Sequence, residues 1–131
     1  MRNKTLVLML CLGGSLLGCS SKPSNSEISA GVTEFWKGCA KVSDVTKTNG
    51  IEGEGGKSYQ VALTYKLEIL EDGVMRGIFK FPPSCSLEGG ENSQGMALKK
   101  ITGFEPIKKG DVYTVTSERN MVKSEKGWIF Q

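Results

Sequence analysis

The chain has 131 residues, 38% of them hydrophobic and 24% charged, which is enough for one domain and too little for two. It carries 17 basic and 14 acidic residues, a formal charge of +3, and no histidine. A charge this small, with no basic run interleaved with aromatics, leaves no electrostatic case for nucleic acid. The missing histidine excludes a Ser-His-Asp triad and a thiol activated by an imidazole.

Arg2 and Lys4 precede an apolar run, Leu6–Leu17, of 12 residues interrupted by Gly13 and Gly14. A membrane-spanning helix needs about 20 apolar residues, so residues 1–18 read as a cleaved signal peptide. The run stops at "LLGC" and turns polar in "SSKPSNS". This junction resembles the lipobox of bacterial lipoproteins, with Leu16, Gly18 and Cys19 in the branched, small and cysteine positions. Leu17 is bulkier than the usual Ala or Ser. The resemblance implies a diacylglycerol on the Cys19 thiol, cleavage between Gly18 and Cys19, and acylation of the new amine. It also implies a membrane partner reached through that lipid. Each buried methylene contributes about 0.8 kcal/mol and a single chain anchors only marginally, so two or three chains give lasting attachment. Ser20 is not the Asp that resembles an inner-membrane retention signal. The destination is therefore the outer membrane in a Gram-negative cell, and otherwise the outer face of the cytoplasmic membrane.

Residues 19–26 read as a tether and 27–131 as a single α+β domain. Without Arg2 and Lys4 the basic count is 15 against 14 acids, so the mature chain is close to neutral. Cys11 leaves with the signal peptide and Cys19 takes the lipid, which leaves Cys39 and Cys85. In an oxidising compartment such a pair forms a disulfide. Two buried free thiols are the alternative.

Ser24 followed three residues later by Glu27 fits a capping box, with Asn25 or Ser26 as alternative caps. Ile28, Val32, Phe35, Trp36 and Cys39 then recur with a 3.6-residue period, and Gly38 stands where a helix would end. "KVSDVTKT" is a weak strand closed by Asn49-Gly50. "SYQVALTYKLEIL" is a strong one: Tyr59, Val61, Leu63, Tyr65, Leu67 and Ile69 alternate with Gln60, Ala62, Thr64, Lys66 and Glu68. Asp72-Gly73 is a hairpin signal that predicts "VMRGIFKF" as its partner, ended by Pro82-Pro83. "MALKKITGF" fits a helical turn or a short strand. "DVYTVTSERNMVKSEKGWIF" reads as two strands with the turn near Gly127 and a bulge or kink at Arg119-Asn120.

The expected architecture is one N-terminal helix packed on a curved antiparallel sheet of four to five strands. This order resembles cystatin-like and NTF2-like domains, and "KSEKGWIF" is similar to the last hairpin of small secreted members of that group. The resemblance spans roughly residues 27–131 and, being at the level of the fold, implies no function.

"GIEGEGGKS" ends like a phosphate loop, but the required Gly five residues before Gly56 is Ile51, and a strand follows instead of a helix. Glu52, Glu54, Glu88 and Glu91 lack the spacing of a calcium loop, and zinc has no histidine to bind. No cofactor is implied. Tyr59, Tyr65 and Asp44 are the residues an NTF2-like acid–base site would use, though the alternation places both tyrosines in the core. The reading is a lipid-anchored, non-catalytic interaction or assembly module with an envelope protein as partner. Its partner loop lies in "FPPSCSLEGGENSQG", at Pro82, Pro83, Glu88, Glu91 and Asn92. Alternatives are a small apolar-ligand pocket or weak acid–base enzyme, which a cavity under the Tyr59–Ile69 face would favour, and a structural envelope protein.

Overall fold

A computed structural model describes residues 22–131. Residues 1–18, read as a signal peptide, and Gly18 and Cys19, read as the cleavage and lipidation positions, lie outside the described residues. Helix α1 spans Asn25–Trp36, and Ser24 is its N-cap. The capping box is complete: Ser24 Oγ accepts from the Glu27 N–H, and Glu27 Oε1 accepts from the Ser24 N–H at 3.0 Å. Ser24–Ser26 therefore belong to the cap and first turn, and the run read as a tether ends at Pro23, which is itself buried. Ile28, Val32 and Trp36 form the buried stripe, and Gly38, at φ 81°, redirects the chain toward Cys39.

Strand β1 covers Ala40–Glu52 and β2 covers Ser58–Ile69, paired antiparallel. The closing turn expected at Asn49-Gly50 does not form there. β1 continues to Glu52 because Gly50 makes room for the Tyr59 ring, into which any Cβ at position 50 would run. A short 3-10 turn at Glu54–Gly56 makes the connection. β1 carries two register shifts, between Ser43 and Thr46 and between Lys47 and Asn49. Such bulges bend and protect an edge strand. Residues Arg119 and Asn120, where a bulge was expected, pair in unbroken register with Val61 and Gln60.

The partner of β2 also differs from expectation. Val74–Arg76 (β3) and Phe79–Phe81 (β4) pair only with each other, as a separate two-stranded sheet. Strand β5, Val112–Ser124, takes the second edge of β2 and runs from Val112 opposite Glu68 to Val122 opposite Ser58. Ladder length decides this: β5 is a long continuous strand, whereas Gly77 interrupts the nearer candidate with a turn at φ 71°. Asp72-Gly73 does not close the hairpin. The Gly73 N–H donates to the Ile107 carbonyl and Asp72 accepts from the Lys109 N–H, so both dock on the segment leading into β5. Helix α2, Gln94–Thr102, resolves the ambiguous "MALKKITGF", with Ser93 as N-cap. Strand β6, Gly127–Phe130, pairs with the end of β5 around the expected turn.

The main sheet has the order β1-β2-β5-β6. Its inner face meets α1 and α2, so Tyr59, Val61, Leu63, Tyr65, Leu67 and Ile69 are buried with Trp36, Leu98, Met121 and Trp128. The chain is a mixed α+β domain with an open sheet. Among the described residues the Tyr59–Ile69 face is packed against core side chains. Among the described residues no helix is long and apolar enough to cross a membrane.

Candidate functional site

The segment Pro82–Gly95 has little regular structure yet is held at several points. Cys39, just beyond α1, is bonded to Cys85. Arg76 donates to the Cys85 and Pro82 carbonyls. Gln94 closes the segment's far end: its Oε1 accepts from the Ser86 N–H at 2.8 Å, and its Nε2 donates to the Phe35 and Lys37 carbonyls at 2.8 and 3.0 Å. Those two carbonyls belong to the end of α1, where backbone acceptors lack helical partners. One glutamine thus fastens the loop to the helix. The tip of Leu87 lies over Gly95, where a Cβ would force it to shift.

Of the residues read as a partner loop, Pro82 is buried and serves packing, while Pro83, Glu88, Glu91 and Asn92 are exposed. Glu91 and Asn92 wall a recess of about 630 Å³ with Phe35, Ala97, Lys100, Glu118, Arg119 and Gln131. Pro83 and Glu88 do not line it. A second recess of about 640 Å³ shares Phe35, Arg119 and Gln131 and runs along α1 past Glu27, Gly31, Trp128 and Phe130. The two meet at Arg119.

Arg119 sits in the core-facing register of β5, with Tyr113, Val115, Ser117 and Met121. Its guanidinium lies over the rings of Phe35 and Phe130, 5.1 and 4.8 Å from their centroids. No carboxylate pairs with it among the described residues. Sequence reading passed over this residue as a kink. The available signal was a cation in a strand position whose neighbours two residues away point into the core.

The far wall is anchored by Glu27. Its Oε2 accepts from the Trp128 N–H at 2.7 Å, joining α1 to β6. Gly127 is required beside it, with φ 100° and no space for a Cβ against that carboxylate. The Ser24 N–H holds the Glu27 carboxyl below its usual range, against partial burial, and the Trp128 N–H and Ser24 hydroxyl add to the effect.

The three residues considered for acid–base chemistry do not converge. Tyr65 is buried and accepts from Trp36 Nε1 at 3.0 Å. Burial raises its pKa, with the Trp36 hydrogen bond and Arg119 opposing. Tyr59 packs edge-on against Trp128 and accepts from Lys47. Asp44 lies in the first bulge of β1, exposed, and pairs with Lys66 at 3.5 Å. Lys66 is on the opposite face of β2 from both tyrosines.

At the end of the sheet where β2 leaves, Ile78, expected in a strand paired with β2, is instead 82% exposed. Phe104, just beyond α2, is 89% exposed, and Lys99 Nζ lies 4.4 and 4.3 Å from the ring centroids of Phe79 and Phe104. Compared with known proteins, the chain matches no family, no curated relative and no solved structure.

Proposed function

We propose that this chain is a lipid-anchored lipoprotein of the bacterial envelope, acting as a non-catalytic interaction module. The supporting observation is the fastened loop: the Cys39–Cys85 bond and the Gln94 clamp hold polar residues beside an unfilled recess. A disulfide suits an oxidising, exported setting, as the lipobox-like "LLGC" requires. Holding the loop in place before contact removes part of the ordering cost of binding. Only four residues separate Cys19 from the N-cap Ser24. They reach roughly 14 Å when extended, so the domain works against the membrane that holds it, and its envelope partner comes to that surface.

Site-specific photo-crosslinking in intact cells tests this reading. A photoreactive residue at Asn92, beside the recess, is expected to give a discrete adduct. The same group at Thr46, remote from the recess, is expected to give none. Equal labelling from both positions, or from neither, would contradict it.

A further inference from the structure

Strand β6 covers only the last part of β5, pairing with Met121–Ser124. One further bond continues the line: the Gln131 N–H donates to the Asn120 carbonyl at 2.9 Å. Backbone groups of a strand alternate sides with a period of two. The N–H and C=O of Glu118, Thr116 and Thr114 therefore point to the same side as the Asn120 carbonyl, and β6 does not reach them. No strand occupies that side among the described residues. Of these three residues Glu118 lines the recess of about 630 Å³, together with Arg119 and with Ala97 and Lys100 of α2. Unpaired edges of this kind are templates for an added strand.

Arg119 supplies the chemistry. Arg119 Cζ lies over the rings of Phe35 and Phe130, and among the described residues its N–H fork meets no carboxylate. That fork matches a carboxylate in its plane. We propose that β5 accepts an extended peptide segment from a partner protein as an added strand in line with β6, with one acidic side chain seated on Arg119. Lys100 on the α2 wall favours the same charge, while Glu91 and Glu118 at the rim disfavour a run of acids. The specificity is therefore for a single carboxylate among neutral, strand-forming residues. This assignment rests on the interaction-module reading and names its surface.

The test titrates the purified full chain with capped heptapeptides of alternating Thr and Val whose central residue is Glu, Gln or Lys, followed by amide and Arg side-chain chemical shifts. The Glu peptide is expected to bind about tenfold more tightly than the Gln peptide and the Lys peptide more weakly than both. The shifts are expected at Thr114, Thr116, Glu118 and the Arg119 Nε–H. N-methylation of alternate peptide residues is expected to abolish binding in one register and spare it in the other. In Arg119→Lys, which keeps the charge but loses the fork, the Glu-to-Gln ratio is expected to fall below about threefold while the Gln peptide still binds. Equal affinities for Glu and Gln peptides, insensitivity to N-methylation, or shifts at β1 or the Ile78–Phe104 end would overturn the proposal. So would acetate alone reproducing the peptide's shifts and affinity, which would make Arg119 a simple anion site. Failure here with a discrete adduct at Asn92 would leave the module reading standing and remove only this surface.

Discussion

Glu27 and Trp128 are 101 residues apart, and the Glu27 carboxylate accepts the Trp128 backbone N–H at 2.7 Å. The same carboxylate completes the N-terminal cap of α1, so one side chain sets the helix start and fixes the last strand beneath it. Trp128 and Phe130 wall the recess of about 640 Å³, and the Phe130 ring is one of the two against which Arg119 lies, so this contact also holds one support of Arg119 in place.

Glu27→Gln is expected to cost roughly 1–2 kcal/mol at neutral pH, combining a weakened cap with a weaker bond to Trp128. The Glu27 carboxyl lies below its ordinary value of 4.5 in the folded chain. Its contribution is therefore fully present above that value and is lost as pH falls through the lower folded pKa. Thermal melts from pH 7 down to pH 3 should show the wild-type and variant curves converging on the acid side. A gap that stays constant across the range would contradict the role given to the carboxylate.

Tyr65→Phe leaves the buried Trp36 Nε1–H without its acceptor, and an unmet buried donor costs about 1–3 kcal/mol. Burial raises the Tyr65 pKa above its ordinary value of 10.0. The unfolded chain thus ionises first, and the stability tied to Tyr65 is lost as pH rises past 10. Chemical unfolding at pH 8 and pH 10.5 checks both statements. A variant as stable as wild type would contradict the account.

Denatured, unreduced protein is expected to show no reactive thiol at Cys39 or Cys85. The bond closes a separation of 46 residues, which is worth up to about 4 kcal/mol through loss of chain entropy in the unfolded state. Replacing both cysteines with alanine is expected to lower the melting temperature strongly. Denaturant unfolding of the double variant measures the difference.

Asn92→Ala and Glu88→Lys separate the loop's two ends. Both side chains are exposed, so either change is expected to move stability by less than about 0.5 kcal/mol. Asn92 borders the recess and Glu88 does not. Binding of the Glu peptide should weaken in Asn92→Ala and stay unchanged in Glu88→Lys. The reverse pattern would place the surface at the loop's tip.

What could be read in advance was local or periodic. The capping box of Ser24 and Glu27 spans three residues, and the alternation from Tyr59 to Ile69 needs only its own strand. The pairing of Cys39 with Cys85 came from counting cysteines in a presumed compartment. The neighbour of β2 was misread because Asp72-Gly73 is a local signal, whereas an 11-pair ladder with β5 against a three-pair hairpin is a comparison made only in the folded chain. Glu27's second bond and the rings over Arg119 come from distant parts of the sequence. No spacing rule joins Phe35, Arg119 and Phe130.

Intact-mass spectrometry of the chain extracted from the membranes of its own cells tests the central claim most directly. The account predicts a polypeptide beginning at Cys19, lacking residues 1–18, and carrying a diacylglycerol on the thiol, with or without an acylated amine. Cys19→Ser should abolish both cleavage and lipid. A mature protein that retains Met1, or one that begins elsewhere with a free Cys19 thiol, would contradict the lipid anchor on which the functional account depends.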